Sequence, residues 1–328
     1  MRVVVCSDKF RGTATAREIG DAVASAVEAA GGECIVQPMA DGGEGTLDAF
    51  GGPNRTTTVT GPLGAAVEAE WSLRDGVAVI EMARASGLQL AGGAEANDPM
   101  EATTAGTGEL IATAVEAGAQ RLIVGLGGSA TTDGGLGALR AMAPLGRYRG
   151  VDIEVACDVR TKFVDAAEIF GPQKGASRAQ IALLRRRLER LAQIYVGEHG
   201  VDVVDLERAG AAGGLGGGLA VAGATLADGF TVIADAVEVY DAIEGADLVI
   251  TGEGQLDATS FDGKVVGGVA KLAAAAGVAA VAVVGRTMEG TDSPIPVIDL
   301  VARFGEEQAM TATLDCVSRA AAELLASA

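Results

Sequence analysis

Short apolar runs of strand length alternate with helical patterns at both ends of the chain, and this alternation constrains the fold more than any other feature. Residues 2–6 are an apolar, β-branched run typical of a buried strand, and a helical pattern and a second run at 34–36 follow. Thr15 and Glu18 form a capping-box pattern at the start of that helix. Because the alternation returns after Gly245, the two ends predict a parallel α/β sheet with helices on its faces.

The middle of the chain has a different pattern. Residues 56–60, 67–73 and 77–81 are strand-like runs separated by turn signals, which predicts an antiparallel meander. The economical interpretation is an α/β protein with a doubly wound, Rossmann-like domain formed by both chain ends and an inserted second mixed α/β domain. We expect the active site in the cleft between them. The expected boundaries are residues 1–52 plus 246–328 for the first domain and 53–245 for the insertion.

Apolar spacing predicts two further helices. Ser177 is placed to cap a helix whose apolar face is Ile181, Leu184, Leu188, Leu191 and Tyr195. The last helix is expected to carry its apolar face on Met310, Leu314, Val317, Ala321 and Leu324.

The charge excludes several classes of partner. With 44 Asp and Glu against 25 Lys and Arg, the net charge is −19, which repels nucleic acid. No apolar stretch supplies the ~20 residues of a membrane helix. The four cysteines are far apart and lack metal-site spacing, which favours buried thiols in a reducing cytoplasm.

Many of the 48 glycines gather beside acids and hydroxyls, in residues 40–46, 125–135, 209–218 and 251–257. Backbone N–H groups in such loops bind phosphate oxygens, and carboxylates there suit Mg²⁺. Neither a Walker A pattern nor a clean Rossmann fingerprint is present, so a plain tight turn explains any single loop equally well. Four such loops in one chain favour phosphate binding.

Charged residues follow the first predicted strand at its carboxyl end, where α/β sheets bind ligands. Lys9 and Arg11 are placed to pair with phosphate, and Asp8 to act as a base or metal ligand. Lysines are scarce, and Lys174 and Lys264 also lie in glycine-flanked loops. Asp133, which precedes a helix, is either a metal or base carboxylate or an N-cap.

Several longer segments carry a family resemblance, in order, across nearly the whole chain. They are DKFRGT (8–13), PMADGGEGT (38–46), EMA (81–83), ASGL (85–88), residues 103–110, GGSAT (127–131), FGPQKGA (170–176), GAAGGL (210–215) and ITGEG (250–254). Together they resemble the glycerate kinase type 1 family. The resemblance implies an ATP-dependent glycerate 2-kinase, which transfers the γ-phosphoryl group of ATP to D-glycerate and gives 2-phosphoglycerate.

The sequence departs from the family pattern at some positions. Arg11 stands where lysine is common, and Thr132 where asparagine is common. Residues 139–151 are shorter than in most relatives, and residues 160–168 lack the usual Asn-Pro and glycine pattern. Because all of these positions except Arg11 lie in the predicted insertion, they bear on substrate contacts or a lid.

Phosphoryl transfer mainly requires that the reactants be positioned and their charge neutralised. We assign the candidate residues to these two tasks. The expected catalytic residues are Asp8, Lys9, Arg11, Asp41 and Asp133. The expected substrate- and phosphate-binding residues are Gly42, Gly43, Thr107, Gly127, Gly128, Ser129, Thr131, Lys174, Gly213, Gly214, Gly216 and Lys264. The expected ligands of Mg²⁺, bound with ATP, are Asp133, Asp158, Glu253 and Asp257.

Two alternatives stay open at this point: a kinase for another small hydroxy acid, and a catalytically silent paralogue that binds a nucleotide or sugar acid. The expected partners are the small molecules ATP and D-glycerate, with no nucleic acid and no membrane. A homodimer is left open, and the expected compartment is the cytoplasm.

Overall fold

A computed structural model of the chain describes residues 1–327, apart from the side chain of Ser327. Its strands are β1 (Arg2–Ser7), β2 (Glu33–Val36), β3 (Arg55–Thr60), β4 (Ala66–Arg74), β5 (Val77–Glu81), β6 (Arg121–Gly125), β7 (Asp152–Cys157), β8 (Thr225–Asp228), β9 (Leu248–Leu256), β10 (Ala279–Thr287) and β11 (Val297–Asp299). Its α-helices are α1 (Ala16–Ala29), α2 (Thr46–Ala49), α3 (Ala83–Ser86), α4 (Ala105–Glu116), α5 (Leu136–Met142), α6 (Ala166–Phe170), α7 (Arg178–Ile194), α8 (Ala211–Val221), α9 (Gly229–Ala236), α10 (Val239–Ile243), α11 (Val265–Ala276), α12 (Leu300–Phe304), α13 (Glu306–Thr311) and α14 (Thr313–Ser327). In this described part, no helix is both long and apolar enough to cross a membrane.

The first of two compact units contains both ends of the described chain. It comprises Met1–Asp41, Asp48–Gly51 and the described residues from Gly229 onward. Its five strands are all parallel, in the order β11-β10-β9-β1-β2. Side chains alternate along β1, so Val3 packs with α1 and α14 while Val4 packs with α9 and α11. Apolar helices therefore cover both faces, and the predicted doubly wound α/β fold is confirmed.

The boundary of this unit differs from the expected one. The sequence assigned residues 229–245 to the insertion, whereas the structure places them in the first unit. The reason is burial: α9 and α10 contribute Phe230, Ile233, Val239 and Ile243 to the core that contains Val4 of β1. Both helices are short, and neither was predicted separately from the sequence.

The second unit comprises Gly42–Leu47 and Gly52–Asp228 and contains a six-stranded mixed sheet. The strands follow chain order from β3 to β8; β3, β4 and β5 are antiparallel, and β5 to β8 are parallel. The predicted meander is thus present. Asp75 and Gly76 both have positive φ, 48° and 80°, as a two-residue type I′ hairpin turn requires.

Helix α7 matches its prediction, and the last helix matches in part. Ser177 and Gln180 form both bonds of a capping box at the start of α7, and Leu184, Leu188 and Leu191 are buried. At the end of the chain, Ala312 leaves helical geometry and separates α13 from α14. The break moves Met310 and Leu314 to the surface, and the buried face of α14 is Cys316, Val317, Ala320 and Ala321.

Candidate active site

The sheet of the first unit reverses its strand order between β1 and β9. From β1 the chain continues to β2 on one side, and from β9 to β10 and β11 on the other. Ligands of open α/β sheets bind at the carboxyl ends of the strands flanking such a switch point. Asp8 follows β1 directly, and Glu253 follows Gly252, the residue that pairs with Ser7. Both carboxylates therefore lie at the ligand-binding edge.

Asp8, the first of these two carboxylates, has a raised pKa and is mostly ionised at neutral pH. Its side chain is 15% exposed, and burial raises the pKa of its carboxyl to about 6. The positive charge of Lys9 opposes this rise, and the negative charge of Asp41 adds to it. The backbone N–H of Lys9 donates to Asp8 Oδ1 at 2.7 Å, which fixes the carboxylate. An aspartate of this pKa is still ionised at pH 7 but is more basic than usual.

Glu253 is a second perturbed carboxylate. Burial raises its pKa to about 7, and the charges of Asp8 and Asp257 add to the rise, while Ser260 and Lys264 lower it. Its Oε1 atom is buried without a hydrogen-bond partner in the described part of the chain. An unsatisfied carboxylate oxygen at a ligand-binding edge indicates a site for a cation or a proton donor.

Asp257, in contrast, is used locally. Its Oδ1 accepts from the backbone N–H and the hydroxyl of Thr259, at 2.8 and 2.6 Å, and caps a short 3₁₀ helix. Asp158, the residue after β7, is exposed. Across residues 1–327, no three His, Cys, Asp or Glu side chains form a group that could hold a metal ion.

In the second unit, Glu81 holds the segment Gly42–Leu47. Glu81 ends β5 and is 2% exposed, and its Oε1 accepts from the backbone N–H groups of Gly45 and Leu47, both at 2.9 Å. Arg84 donates to the other carboxylate oxygen at 3.2 Å. The sequence reasoning gave Glu81 no role. The sequence nevertheless contains a signal for it: Glu81 ends an apolar strand, and a carboxylate that is buried there needs hydrogen-bond or charge partners.

The same segment packs its backbone against the carboxyl ends of β6 and β7. A Cβ on Gly42 would lie 2.6 Å from the carbonyl carbon of Ala156, and one on Gly127 would lie 2.6 Å from Cα of Gly43. Glycine is therefore required here for backbone packing. Gly128 follows with a φ of 66° and is exposed, and Ser129 is nearly buried. Gly128 is therefore the exposed end of the predicted phosphate loop.

Asp133 accepts four hydrogen bonds from its own unit. The donors are the backbone N–H and hydroxyl of Thr104 and the backbone N–H groups of Gly135 and Gly137, at 2.8 to 3.1 Å. These bonds join the starts of α4 and α5. Asp133 thus satisfies backbone N–H groups near the starts of both helices, although the N-cap residues themselves are Thr104 and Gly135.

Lys174 is also used within the protein. It is 1% exposed, and its Nζ donates to the carbonyl oxygen of Thr131 at 2.6 Å. Burial lowers the pKa of its ammonium group to about 7, opposed by the negative charge of Asp133. Lys174 therefore supports the loop that contains Thr131, rather than presenting a charge to solvent.

The third glycine-rich segment is mostly helix α8, with left-handed backbone from Ala212 to Gly214. Gly213, Gly214 and Gly216 are buried, and a Cβ on Gly213 would lie 1.9 Å from the carbonyl oxygen of Thr131. Close packing thus accounts for these glycines without a ligand. Thr107 is fully buried, and its hydroxyl shares a hydrogen bond with that of Ser86 at 2.9 Å.

Comparison with known proteins assigns this chain to a family. The model of the glycerate kinase family matches residues 3–146 and 143–328. The chain belongs to the glycerate kinase family. The resemblance seen in the sequence is thereby confirmed.

Relatives of this family match most of the chain. The "Glycerate 2-kinase" of Escherichia coli (strain K12) is 40% identical over 313 residues, covering 83% of this chain and 82% of the relative. The "Glycerate kinase" of Halalkalibacterium halodurans is 38% identical, covering 89% and 87%. The crystal structure of a Salmonella typhimurium LT2 protein assigned as glycerate kinase 2 superposes with a TM-score of 0.88 at 33% identity, covering 100% of this chain and 98% of that one.

Within this glycerate kinase family member, the predicted site residues separate by unit. The first unit brings together one electrostatically coupled group at the switch point: Asp8, Lys9, Arg11, Asp41, Glu253, Asp257 and Lys264. The second unit contains the predicted glycines 42, 43, 127, 128, 213, 214 and 216, together with Thr107, Ser129, Thr131, Asp133, Asp158 and Lys174. Of these two sets, only the first contains carboxyl groups of raised pKa, those of Asp8 and Glu253, and a buried oxygen without a hydrogen-bond partner in the described residues, Oε1 of Glu253.

Proposed function

We propose that the protein transfers the γ-phosphoryl group of ATP to the C2 hydroxyl of D-glycerate and forms 2-phosphoglycerate. The proposal rests on family membership and on a 40% identical relative named glycerate 2-kinase. The observation that carries the chemistry is Asp8, a carboxylate of raised pKa at the switch point of the first sheet.

Asp8 acts as the general base in this proposal. Its carboxylate takes the proton of the acceptor hydroxyl as the oxygen attacks the γ-phosphorus, and the bond from that phosphorus to the β,γ-bridging oxygen breaks to release ADP. A base with a pKa near the working pH combines the ionised form with the strongest pull on the proton, and Asp8 at about 6 meets both conditions. The backbone bond from Lys9 keeps the accepting oxygen in place.

Lys9, Arg11 and Lys264 supply the positive charge around this base. Each interacts electrostatically with Asp8 or Glu253. The transferred phosphoryl group and the glycerate carboxylate are both anionic in a chain of net charge −19. Local cations are therefore needed to hold them, and charge neutralisation is the main demand of phosphoryl transfer.

Glu253 is the group that fits a magnesium ion. Mg²⁺ takes one or two protein carboxylates and completes its shell with water and substrate phosphates, so a cluster of three acids is not required. The buried, unsatisfied Oε1 of Glu253 meets that demand. Bound there with ATP, the ion would neutralise charge on the phosphate oxygens. We retain Gly128 and Ser129 as candidates for backbone and hydroxyl contacts to phosphate.

We further propose a cytoplasmic location. ATP is supplied in that compartment, and the four cysteines are free rather than paired.

The test is phosphoryl transfer from Mg-ATP to a panel of D-glycerate, L-glycerate, glycolate and lactate, with phosphorus NMR of the product. We expect ADP release with D-glycerate and a phosphate at C2. A phosphate at C3 would refute the position, and preference for another acid would refute the substrate. Nucleotide binding without turnover on any acid would identify a silent paralogue.

A further inference from the structure

Residues 42–47 form a short glycine-rich segment that needs contacts from outside itself to keep one conformation. Gly42, Gly43 and Gly45 leave it with few side chains, and glycine gives a backbone more freedom than any other residue. The φ angles of Gly42 and Gly45 are 91° and 97°, a region that other residues rarely adopt. Whatever holds this segment therefore decides where its backbone lies.

Glu81, at the end of β5, holds the second half of the segment from a buried position. It is 2% exposed, and its Oε1 accepts from the backbone N–H groups of Gly45 and Leu47, both at 2.9 Å. Arg84 donates to the other carboxylate oxygen at 3.2 Å and also bonds to Glu70 at 2.9 Å. Because the acceptor is ionised, its hydrogen bonds are stronger than those of a neutral oxygen.

The first half of the segment is held by close packing. A Cβ on Gly42 would lie 2.6 Å from the carbonyl carbon of Ala156, so the two backbones are in direct contact. Thr46 is fully buried, and its hydroxyl donates to the carbonyl oxygen of Gly43 at 2.7 Å. These contacts fix the shape of the segment, while Glu81 fixes its position on the second unit.

Asp41 directly precedes this segment and belongs to the first unit. On its other side, the backbone N–H of Met39 donates to the carbonyl oxygen of Ser7 at 2.9 Å, next to Asp8 in the chain. Asp41 is thus joined on both sides to chain that is held in place. Its negative charge interacts with the Asp8 carboxyl, so its position affects the proposed base.

We propose that Glu81 is a positioning residue of the phosphoryl-transfer site, which fixes Asp41 by holding the segment that follows it. The inference rests on the proposed function, because it gives Glu81 an effect on that reaction. Glu81 contacts no reactant in this proposal and acts only through the backbone. A misplacement of about 1 Å at a reacting group lowers the rate by about 10²-fold, even when the changed residue lies elsewhere.

Glu109 is a matched control in the same unit. Its carboxylate also accepts two hydrogen bonds, from the backbone N–H and the hydroxyl of Thr60, both at 2.7 Å. It is half-buried and holds the end of β3 rather than residues 42–47. A loss of stability alone should therefore affect the variants of Glu81 and Glu109 in the same way.

The first measurement is steady-state kinetics of the full-length protein with Mg-ATP and D-glycerate. We expect Glu81→Ala to lower kcat by about 10–100-fold and to change each KM by less than about threefold, because no contact to a reactant is lost. Glu81→Gln should recover part of the loss, since its amide oxygen still accepts from Gly45 and Leu47 while the charge is gone. Glu109→Ala should keep kcat within about twofold of the wild type.

The second measurement follows the segment itself by hydrogen exchange and does not depend on activity. Peptides that cover residues 42–47 should exchange faster in Glu81→Ala, because two backbone N–H groups lose their acceptor, and at an intermediate rate in Glu81→Gln. Glu109→Ala should leave this exchange unchanged. Where Glu81→Ala does not fold, Glu81→Gln decides, with an expected loss in kcat of about threefold or more.

The outcomes separate the two proposals. Faster exchange at residues 42–47 with kcat no lower than in Glu109→Ala overturns the inference, because Glu81 then holds the segment without positioning the reacting groups. A rise in KM at unchanged kcat, or a loss that matches the unfolded fraction, overturns it as well. When the wild type phosphorylates another acid instead of D-glycerate, the proposed substrate is refuted and the same comparison is made with that acid. A wild type that phosphorylates no acid overturns both.

Discussion

At the scale of single residues, Asp8 is the strongest test of the chemistry. Asp8→Asn keeps the size of the side chain and an acceptor for the backbone N–H of Lys9, but it removes the proton acceptor. We expect kcat to fall by about 10²–10⁴-fold with little change in melting temperature. Asp21→Asn, an exposed change on α1, is the control and should retain wild-type kcat.

The pH dependence of the wild type follows from the same residue. The base must be ionised, so kcat/KM should fall as the pH drops through about 6, the pKa to which burial raises Asp8. Glu253, whose pKa burial raises to about 7, also titrates at this site, so the residual activity of Asp8→Asn should keep only the decline that Glu253 causes and lose the decline near pH 6. A folded variant that keeps near-normal kcat, or that keeps the decline near pH 6, would show that Asp8 is not the base.

Lys174 gives a prediction for stability. The folded protein holds this ammonium at a pKa of about 7, against 10.5 in an unfolded chain, so between these values the unfolded state binds more protons. Wild-type stability should therefore rise with pH across this window. Lys174→Met lacks the titration, so the unfolding free energy of the wild type relative to the variant should increase by about 2 kcal/mol from pH 7.5 to 9.5. Urea unfolding at both pH values measures it, and a pH-independent difference contradicts the burial of this charge.

The same residues show what sequence alone predicts about a site. Asp8 and Lys9 were predicted from their place after the first strand, because the end of a strand in a parallel sheet is a position that sequence reveals. Asp133 and Lys174 have equally suggestive neighbours, yet their partners, Thr104 and Thr131, depend on tertiary packing. Spacing along the chain does not show whether a charged side chain hydrogen-bonds to a distant part of the protein, as Asp133 does to Thr104 and Lys174 to Thr131.

At the scale of elements, helix α8 depends on close backbone packing at its first turn. Gly213→Ala introduces a Cβ 1.9 Å from the carbonyl oxygen of Thr131 at a φ of +71°, and we expect it to lower the unfolding free energy by about 3 kcal/mol or more. Gly223→Ala is the matched control beyond the other end of this helix. It has a φ of +95° and no atom within 4 Å, so only the backbone strain of about 1 kcal/mol applies. Equal losses in urea unfolding would contradict the packing explanation.

Element prediction succeeded where local signals suffice. Helices α1 and α7 begin at capping boxes and carry continuous apolar faces, which are properties of neighbouring residues. Helix α8 lacked both signals, because five of its eleven residues are glycine and its stability comes from contacts with Thr131 and Phe163. The prediction of the last helix was only partly right, because the non-helical backbone at Ala312 interrupts the helix and shifts its apolar face.

At the scale of the whole molecule, the two-domain organisation was predicted from the return of βα alternation after Gly245. The boundary at residues 229–245 was wrong because α9 and α10 are short and have no strong periodic signal. They belong to the first unit through the core that they join, which the sequence does not show. The charge, in contrast, is additive and is read from sequence without error. Its consequence for stability can therefore be predicted without knowing any single contact.

A net charge of −19 destabilises the folded chain through self-repulsion, so added salt should stabilise it. Raising the ionic strength from 0.01 to 0.15 M shortens the Debye length from about 30 to about 8 Å, which screens repulsion between distant carboxylates. The same salt weakens ion pairs such as Arg303–Glu323 and Arg319–Asp315, but exposed pairs contribute only about 0–1 kcal/mol each. We therefore expect the urea midpoint to rise over this range. Sodium chloride and sodium perchlorate should act alike at these concentrations, because screening depends on ionic strength; a lower midpoint would mean that local ion pairs outweigh the overall repulsion.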